Sequence, residues 1–212
     1  MSNTKNHLRV PYGSTVHGQE EIEAVVNVLK TSTQMSTHVR EFEEKIAKLF
    51  NKDHGVMVNS GTSALYLAFE ALDLPKGSEV ITPALTFGTT VACLVKNDLV
   101  PVFVDVKKNT YCIDETQIES KITKNTSAII APDLMGNICE WPVIYDLAKK
   151  YGLKIVLDSA DTLGATYSGK PTGEFSDVAI TSFYGSHIIN GAGNGGMIVT
   201  SDNKIAEKCK LL

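Results

Sequence analysis

Apolar residues recur at intervals of three and four in two N-terminal stretches, 19–30 and 39–50, the second through Val39, Phe42, Ile46, Leu49 and Phe50. That period predicts two amphipathic helices. Beyond residue 50 the pattern changes, and short unbroken apolar runs alternate with stretches of helical period. Strands are expected at 55–58, 79–82, 102–105, 128–131, 154–158, 178–181 and 197–200. Helices are expected at 62–72, 86–97, 114–121 and 141–151, with Gly152 placed where a left-handed cap would close the last of these. Residues 202–212 read as the opening of one more helix.

Runs that are apolar at every position belong to strands covered on both faces. Seven of them, the first five separated by helices, predict the α/β class: a three-layer α/β/α sandwich with a mostly parallel, seven-stranded sheet. No repeat, low-complexity tract or linker interrupts the chain. A single domain over 1–212 is therefore expected, with residues 1–50 forming a helical arm.

Composition narrows the class. With 43% hydrophobic and 21% charged residues the chain has the make-up of a soluble globular protein. A net charge of −4 gives no electrostatic footprint for nucleic acid or an anionic membrane. The polar start, Met1 to Arg9, lacks the apolar core of a signal peptide. No apolar stretch approaches the ~20 residues that span a bilayer. Cys93, Cys112, Cys139 and Cys209 lie far apart without a C-x-x-C pair, so neither a metal site nor a disulfide framework is expected. The plain expectation is a cytoplasmic protein with reduced thiols.

Candidate chemistry collects at strand ends. Asn59-Ser60-Gly61-Thr62-Ser63 joins a predicted strand to a predicted helix, where free N–H groups, hydroxyls and the helix dipole favour an anion. Gly61 and Thr62 are the expected phosphate contacts; alternatively Ser60 or Thr62 only caps the helix. Asp158 ends a buried run at the edge where open α/β sheets bind ligands, and could instead cap the segment 159–163. Asp161 follows in Asp158-Ser159-Ala160-Asp161-Thr162-Leu163-Gly164. Further on, Ser182-Phe183-Tyr184-Gly185-Ser186-His187 leads into a stretch rich in glycine at 191, 193, 195 and 196.

Together these motifs resemble the DegT/StrS family of nucleotide-sugar aminotransferases, pyridoxal-phosphate enzymes of fold type I. The likeness runs from Val10-Pro11-Tyr12-Gly13 to the terminus. In most of the family a Ser-Phe-x-x-x-Lys segment supplies the lysine that holds the cofactor covalently. Here that position is His187. The same change marks the branch that uses pyridoxamine phosphate to remove a 3-hydroxyl, the nucleotide-4-keto-6-deoxyhexose 3-dehydratases. The Asp-x-x-Asp-x-Leu-Gly form is similar to the CDP-4-keto-6-deoxyglucose enzymes in particular.

The resemblance implies a role for each residue. Gly61, Thr62 and Ser182 would contact the cofactor phosphate, and Phe87 would stack on its ring. Asp158 would face the pyridine nitrogen, and Asp161 would lie near the phenolic oxygen. His187 would be the catalytic base, since imidazole titrates near neutrality but cannot anchor the cofactor. Plainer roles stand beside these: Phe87 as a core residue, Ser182 as an ordinary strand-end serine, His187 as a loop residue. The chain departs from the dehydratase pattern of paired histidines, Ile-Thr and Gly-Glu-Gly-Gly, reading His187-Ile188-Ile189-Asn190 and Gly193-Asn194-Gly195-Gly196 instead.

The resemblance further implies a homodimer with the site at the subunit interface, a nucleotide-sugar substrate of deoxysugar and polysaccharide biosynthesis, and a reductase partner. It implies that the C-terminal small domain of usual members is missing, and with it any iron–sulfur cysteines. Two rival readings remain. One is a sugar aminotransferase drawing its lysine from Lys204 or Lys210; the other is an inactive homologue that binds a cofactor or a partner.

Overall fold

The computed structural model of the chain describes residues 8–11, 13, 14 and 16–212. His7 and Tyr12, with part of the predicted arm and of the polar start, lie outside the described residues. The chain divides into two compact units, Met1–Gln34 and Met35–Leu212.

In the first unit, helix α1 spans Gln19–Thr31. Its start is fixed by the Glu21 carboxylate, which accepts from the Gly18 N–H at 2.6 Å. Glu20 and Glu21 in the first turn and Lys30 in the last both complement the helix dipole. The stripe Ile22, Val25, Val26 and Leu29, spaced as predicted, is exposed.

The second unit opens with α2 (Thr37–Leu49), β1 (His54–Val58), α3 (Gly61–Leu72), β2 (Glu79–Pro83), α4 (Gly88–Lys96) and β3 (Val100–Val104). It continues with α5 (Glu115–Ile118), β4 (Thr126–Pro132), α6 (Trp141–Tyr151), β5 (Lys154–Asp158) and the short β6 (Thr166–Tyr167) and β7 (Lys170–Pro171). Finally come β8 (Val178–Ser182), β9 (Gly196–Thr200) and α7 (Asn203–Leu211). Seven strands form one sheet in the order β1-β9-β8-β5-β4-β2-β3. Only β9 runs antiparallel to its neighbours, so the sheet is mostly parallel as predicted.

Alternate side chains of each strand feed two cores, which is why the runs read as apolar throughout. Ile81, Ile129, Ala131, Ile155 and Leu157 pack with Ile46 of α2, Ile118 of α5 and Trp141 and Ile144 of α6. Val80, Ala128, Ile130 and Val156 pack with Leu65 and Phe69 of α3, Leu94 of α4 and Ile205 of α7. Each fully buried isoleucine or leucine contributes about 1.5–3 kcal/mol, so the two layers of helices are held chiefly by this burial. The sheet edges are protected separately. At β1 the Glu43 carboxylate takes the Met57 N–H at 2.7 Å, and β3 carries Pro101.

Three local departures have simple causes. Helix α4 begins at Gly88, because 84–86 is a bend that leaves Phe87 extended at φ −68°, ψ 140°. The stretch predicted as one helix at 114–121 is a single α-turn capped by the Asp114 carboxylate and followed by a 3-10 turn, Glu119–Lys121. The β6–β7 hairpin turns on Ser168 and Gly169, both with positive φ, and its two-residue strands are too short to show a period. No helix among the described residues is long and apolar enough to cross a membrane.

Register brings the candidate residues to one edge of the sheet. Pro132 is paired with Asp158, Asp158 with Ile180, Ser182 with Gly196, and Gly196 with Val58. The carboxyl ends of β1, β2, β4, β5 and β8 therefore open on the same side, where open α/β sheets place ligands.

Candidate functional site

The 59–63 turn is built by its own hydroxyls. Ser60 caps α3, its Oγ accepting from the Ser63 N–H at 3.1 Å, while the Ser63 hydroxyl donates to Asn59 Oδ1 at 2.6 Å. The Ala64 N–H is taken by the Ser60 carbonyl. Gly61 and exposed Thr62 are left as the first-turn donors for an anion. Capping and cradle are thus divided between neighbours. The turn is pressed onto the ends of β8 and β9 so closely that no side chain fits at two places. A Cβ on Gly61 would lie 2.8 Å from Ser182 Cβ, and one on Gly196 would lie 2.3 Å from the Ser60 carbonyl oxygen. This contact sets the Ser182 hydroxyl beside the α3 N-terminus, where it accepts from the Tyr184 N–H at 3.3 Å.

Asp158 ends β5 and is only 6% exposed. One oxygen accepts from Thr90 Oγ1 at 3.1 Å and the other from the Ala160 N–H at 3.2 Å. Burial pushes its carboxyl up to about 6 against those two hydrogen bonds, and the nearby Asp161 adds to the rise. No helix follows it, and its bond from the Ala160 N–H caps the turn that begins at 159, leaving the second oxygen with Thr90. Thr90 belongs to α4, one turn beyond Phe87, and its N–H bonds the Phe87 carbonyl. Phe87 is 72% exposed, which rules out the plain reading of a core phenylalanine.

A second strand-end acid, Asp133, was not singled out from the sequence, although it follows an apolar run just as Asp158 does. It is buried, accepts from the Cys139 N–H at 2.8 Å and Trp141 Nε1 at 3.0 Å, and donates its own N–H to the Asp158 carbonyl. It thereby fastens the 133–141 loop over the end of β5. Burial pushes this carboxyl up to about 7. Both acids have folded values above the unfolded 3.8, so the folded state holds extra protons between about pH 4 and pH 7. Their contribution to stability is therefore fully present below about pH 4 and is lost as the pH rises through 6 and 7. Asp133→Asn, which keeps an acceptor oxygen, is expected to flatten this dependence. Thermal unfolding at pH 5 and pH 7.5 checks it: the wild-type midpoint should drop more than that of the variant.

His187 lies in the β8–β9 loop, closed at its base by hydrogen bonds between Phe183 and Gly195 and between Gly191 and Phe183. Its side chain is 21% exposed, and Nδ1 lies 3.4 Å from Asp161 Oδ1. The other oxygen of Asp161 accepts from the Met135 N–H at 2.9 Å. Asp158, Asp161, Ser182, His187, Gly61, Thr62 and Phe87 thus all lie on loops, strand ends or the first turn of α3 at one edge. No lysine of the described residues is bonded to Asp158, Asp161 or His187. Lys204 follows β9, which runs away from this edge, and Lys210 lies on α7 lining a groove with Tyr66 and Leu67. Among the described residues no group of three or more His, Cys, Asp or Glu side chains converges as a metal site.

The chain belongs to the DegT/DnrJ/EryC1/StrS aminotransferase family, which it matches over residues 16–212. It is 35% identical over 201 residues to the GDP-perosamine synthase of Escherichia coli O157:H7, covering 93% of this chain and 54% of that protein. It is 36% identical over 204 residues to the dTDP-4-dehydro-2,6-dideoxy-D-glucose 3-dehydratase of Saccharopolyspora spinosa, covering 92% and 44%. The fold is similar to the solved structure of E. coli GDP-4-keto-6-deoxy-D-mannose-3-dehydratase with bound hydrated PLP. The TM-score is 0.88 at 32% identity, over 94% of this chain and 53% of that one. The chain spans about half the length of the curated relatives it matches.

Proposed function

We propose that this chain forms the cofactor side of a nucleotide-sugar 3-dehydratase, holding pyridoxamine phosphate without a covalent bond and acting on a nucleotide-linked 4-keto-6-deoxyhexose. One observation carries the reading: the side chain beside Asp161 at the mouth of the site is the imidazole of His187, not an amine. The residues present suit the cofactor. Asp158 is a buried carboxylate whose partners are a hydroxyl and an N–H, with no cation, as a protonated ring nitrogen would require. The α3 N-terminus with Ser182 suits a phosphate, and exposed Phe87 offers a face for a flat ring.

When bound, pyridoxamine phosphate supplies an amine for the 4-keto carbon and a ring that accepts electrons. Each protein group then has a defined task. Gly61, Thr62 and Ser182 hold the phosphate, and Phe87 covers the ring. Asp158, steadied by Thr90, keeps the ring nitrogen protonated. His187 takes the proton from the cofactor's 4′ carbon. Exposed Leu85, Phe87, Met135, Tyr184 and Ile188 on the loops of this edge support a homodimer in which a partner chain closes the site.

The rival reading, a sugar aminotransferase, has the name of the GDP-perosamine synthase relative in its favour, but among the described residues no lysine is bonded to Asp158, Asp161 or His187 to serve it. Incubation with pyridoxamine phosphate and CDP-, GDP- or dTDP-linked 4-keto-6-deoxyhexoses, carrying oxygen-18 at the 3 position, separates the two. Release of labelled water supports dehydration. Amino transfer to the sugar with the label retained would overturn it.

A further inference from the structure

We infer that Asp161 is a positioning residue for His187: the carboxylate fixes the imidazole as the Nδ1–H tautomer and leaves Nε2 bare to accept a proton. The tautomer follows from the apo geometry alone; its use as a base rests on the dehydratase reading.

Asp161 is rigidly placed. It lies in the turn after β5, where the Ser159 and Thr162 hydroxyls are 2.8 Å apart and the Thr162 N–H bonds the Ser159 carbonyl. The same carbonyl also accepts from Thr181 Oγ1 at 3.1 Å, which ties the turn to β8. Ser159 and Thr162 are buried, so the segment carrying Asp161 has little freedom to swing. One carboxylate oxygen is committed to the Met135 N–H at 2.9 Å. Met135 has φ +56°, a left-handed conformation uncommon for a side chain of this kind, and it aims that N–H at Asp161. The remaining oxygen faces His187 Nδ1 at 3.4 Å, a separation that catalytic pairs commonly show before a ligand closes the site.

A carboxylate can only accept. Opposite it, the ring nitrogen has to carry the proton, and in a neutral imidazole that leaves the other nitrogen as the base. The Asp161→Asn variant inverts the logic. The Met135 N–H favours the amide oxygen on its side, which turns the NH₂ toward His187. Nδ1 then has to be the acceptor, and the proton moves to Nε2. A carboxylate placed in this way sets the tautomer and orientation of a catalytic imidazole without itself taking the proton.

The test is the side-chain nitrogen spectrum of histidine-labelled protein, free of cofactor, for wild type and Asp161→Asn, joined to steady-state kinetics on the same sugar panel. The expected wild-type signal for neutral His187 is mainly Nδ1–H, and for Asp161→Asn mainly Nε2–H. With it, kcat should fall by about 10²–10⁴-fold at little-changed KM, the size of a lost general base. The same tautomer in both proteins, or inversion with undiminished kcat, would overturn the inference. Inversion in a protein whose wild type dehydrates none of the sugars would uphold the tautomer assignment and sink the dehydratase reading instead.

Discussion

Replacing His187 with asparagine is expected to lower dehydration turnover by about 10²–10⁴-fold, while pyridoxamine phosphate binds nearly as before. The separation follows from the geometry. The groups proposed to hold the cofactor lie on α3, at the start of α4, and on β5 and β8, whereas the imidazole pairs with Asp161 and meets the edge of the Tyr184 ring. His187 is part of a loop whose base is closed by backbone bonds from Phe183, Gly191 and Gly195, so its removal takes nothing from the core. The stability change should stay within about 0.5 kcal/mol, as for other substitutions away from packed features. Single-turnover assays with a fluorescence titration of the cofactor would reveal the split. Loss of binding in parallel with loss of turnover would mean that the histidine is a cofactor ligand rather than a base.

Asp158→Asn should produce the opposite pattern: a weaker cofactor complex and a more stable free protein. A hydrogen bond between charged partners is worth about 1.5–3 kcal/mol, so affinity should fall by about 10- to 100-fold. Wild-type affinity should itself decline as the pH drops through about 6, where Asp158 takes up a proton and can no longer pair with a cationic ring. In the asparagine variant that step should disappear. The free variant, relieved of a charge in a buried position, should unfold at a higher temperature above pH 6. A rise in stability with a loss of function is the signature of a group kept for chemistry and costly to the fold. Isothermal titration across pH 5–8 and thermal unfolding of both proteins would test the pair of effects. An affinity that ignores both the substitution and the pH would remove Asp158 from the site.

Much of the fold was legible because it rests on burial. Strands covered by helices on both faces read as unbroken apolar runs, so β5 and the helix α6 with its cap Gly152, at φ 68°, fall where the sequence puts them. The elements that escaped depend on features without a period. The β6–β7 hairpin is held by a turn and two residue pairs. The bend before α4 is set by tertiary placement of Phe87 and Thr90 rather than by propensity.

The proposed site shows the same division. His187, Asp158 and the 59–63 turn stand out locally, by residue type and by position at the end of a run. Thr90 gives no sign of itself, because its partner is 68 residues away in the chain. Asp133 carried a usable signal, an acid straight after an apolar strand, as at Asp158. The pairing of Asp161 with His187 joins two loops through the parallel neighbours β5 and β8, and only the register of those strands brings them together.

The most direct test of the central claim is a titration of wild type and His187→Lys with pyridoxamine phosphate and with pyridoxal phosphate, followed by absorbance and borohydride treatment. Wild type is expected to bind pyridoxamine phosphate reversibly and never to be modified by borohydride. His187→Lys should acquire a visible band with pyridoxal phosphate that borohydride fixes covalently at position 187. Covalent fixation of pyridoxal phosphate to wild type through any other lysine would contradict the account and restore the aminotransferase reading.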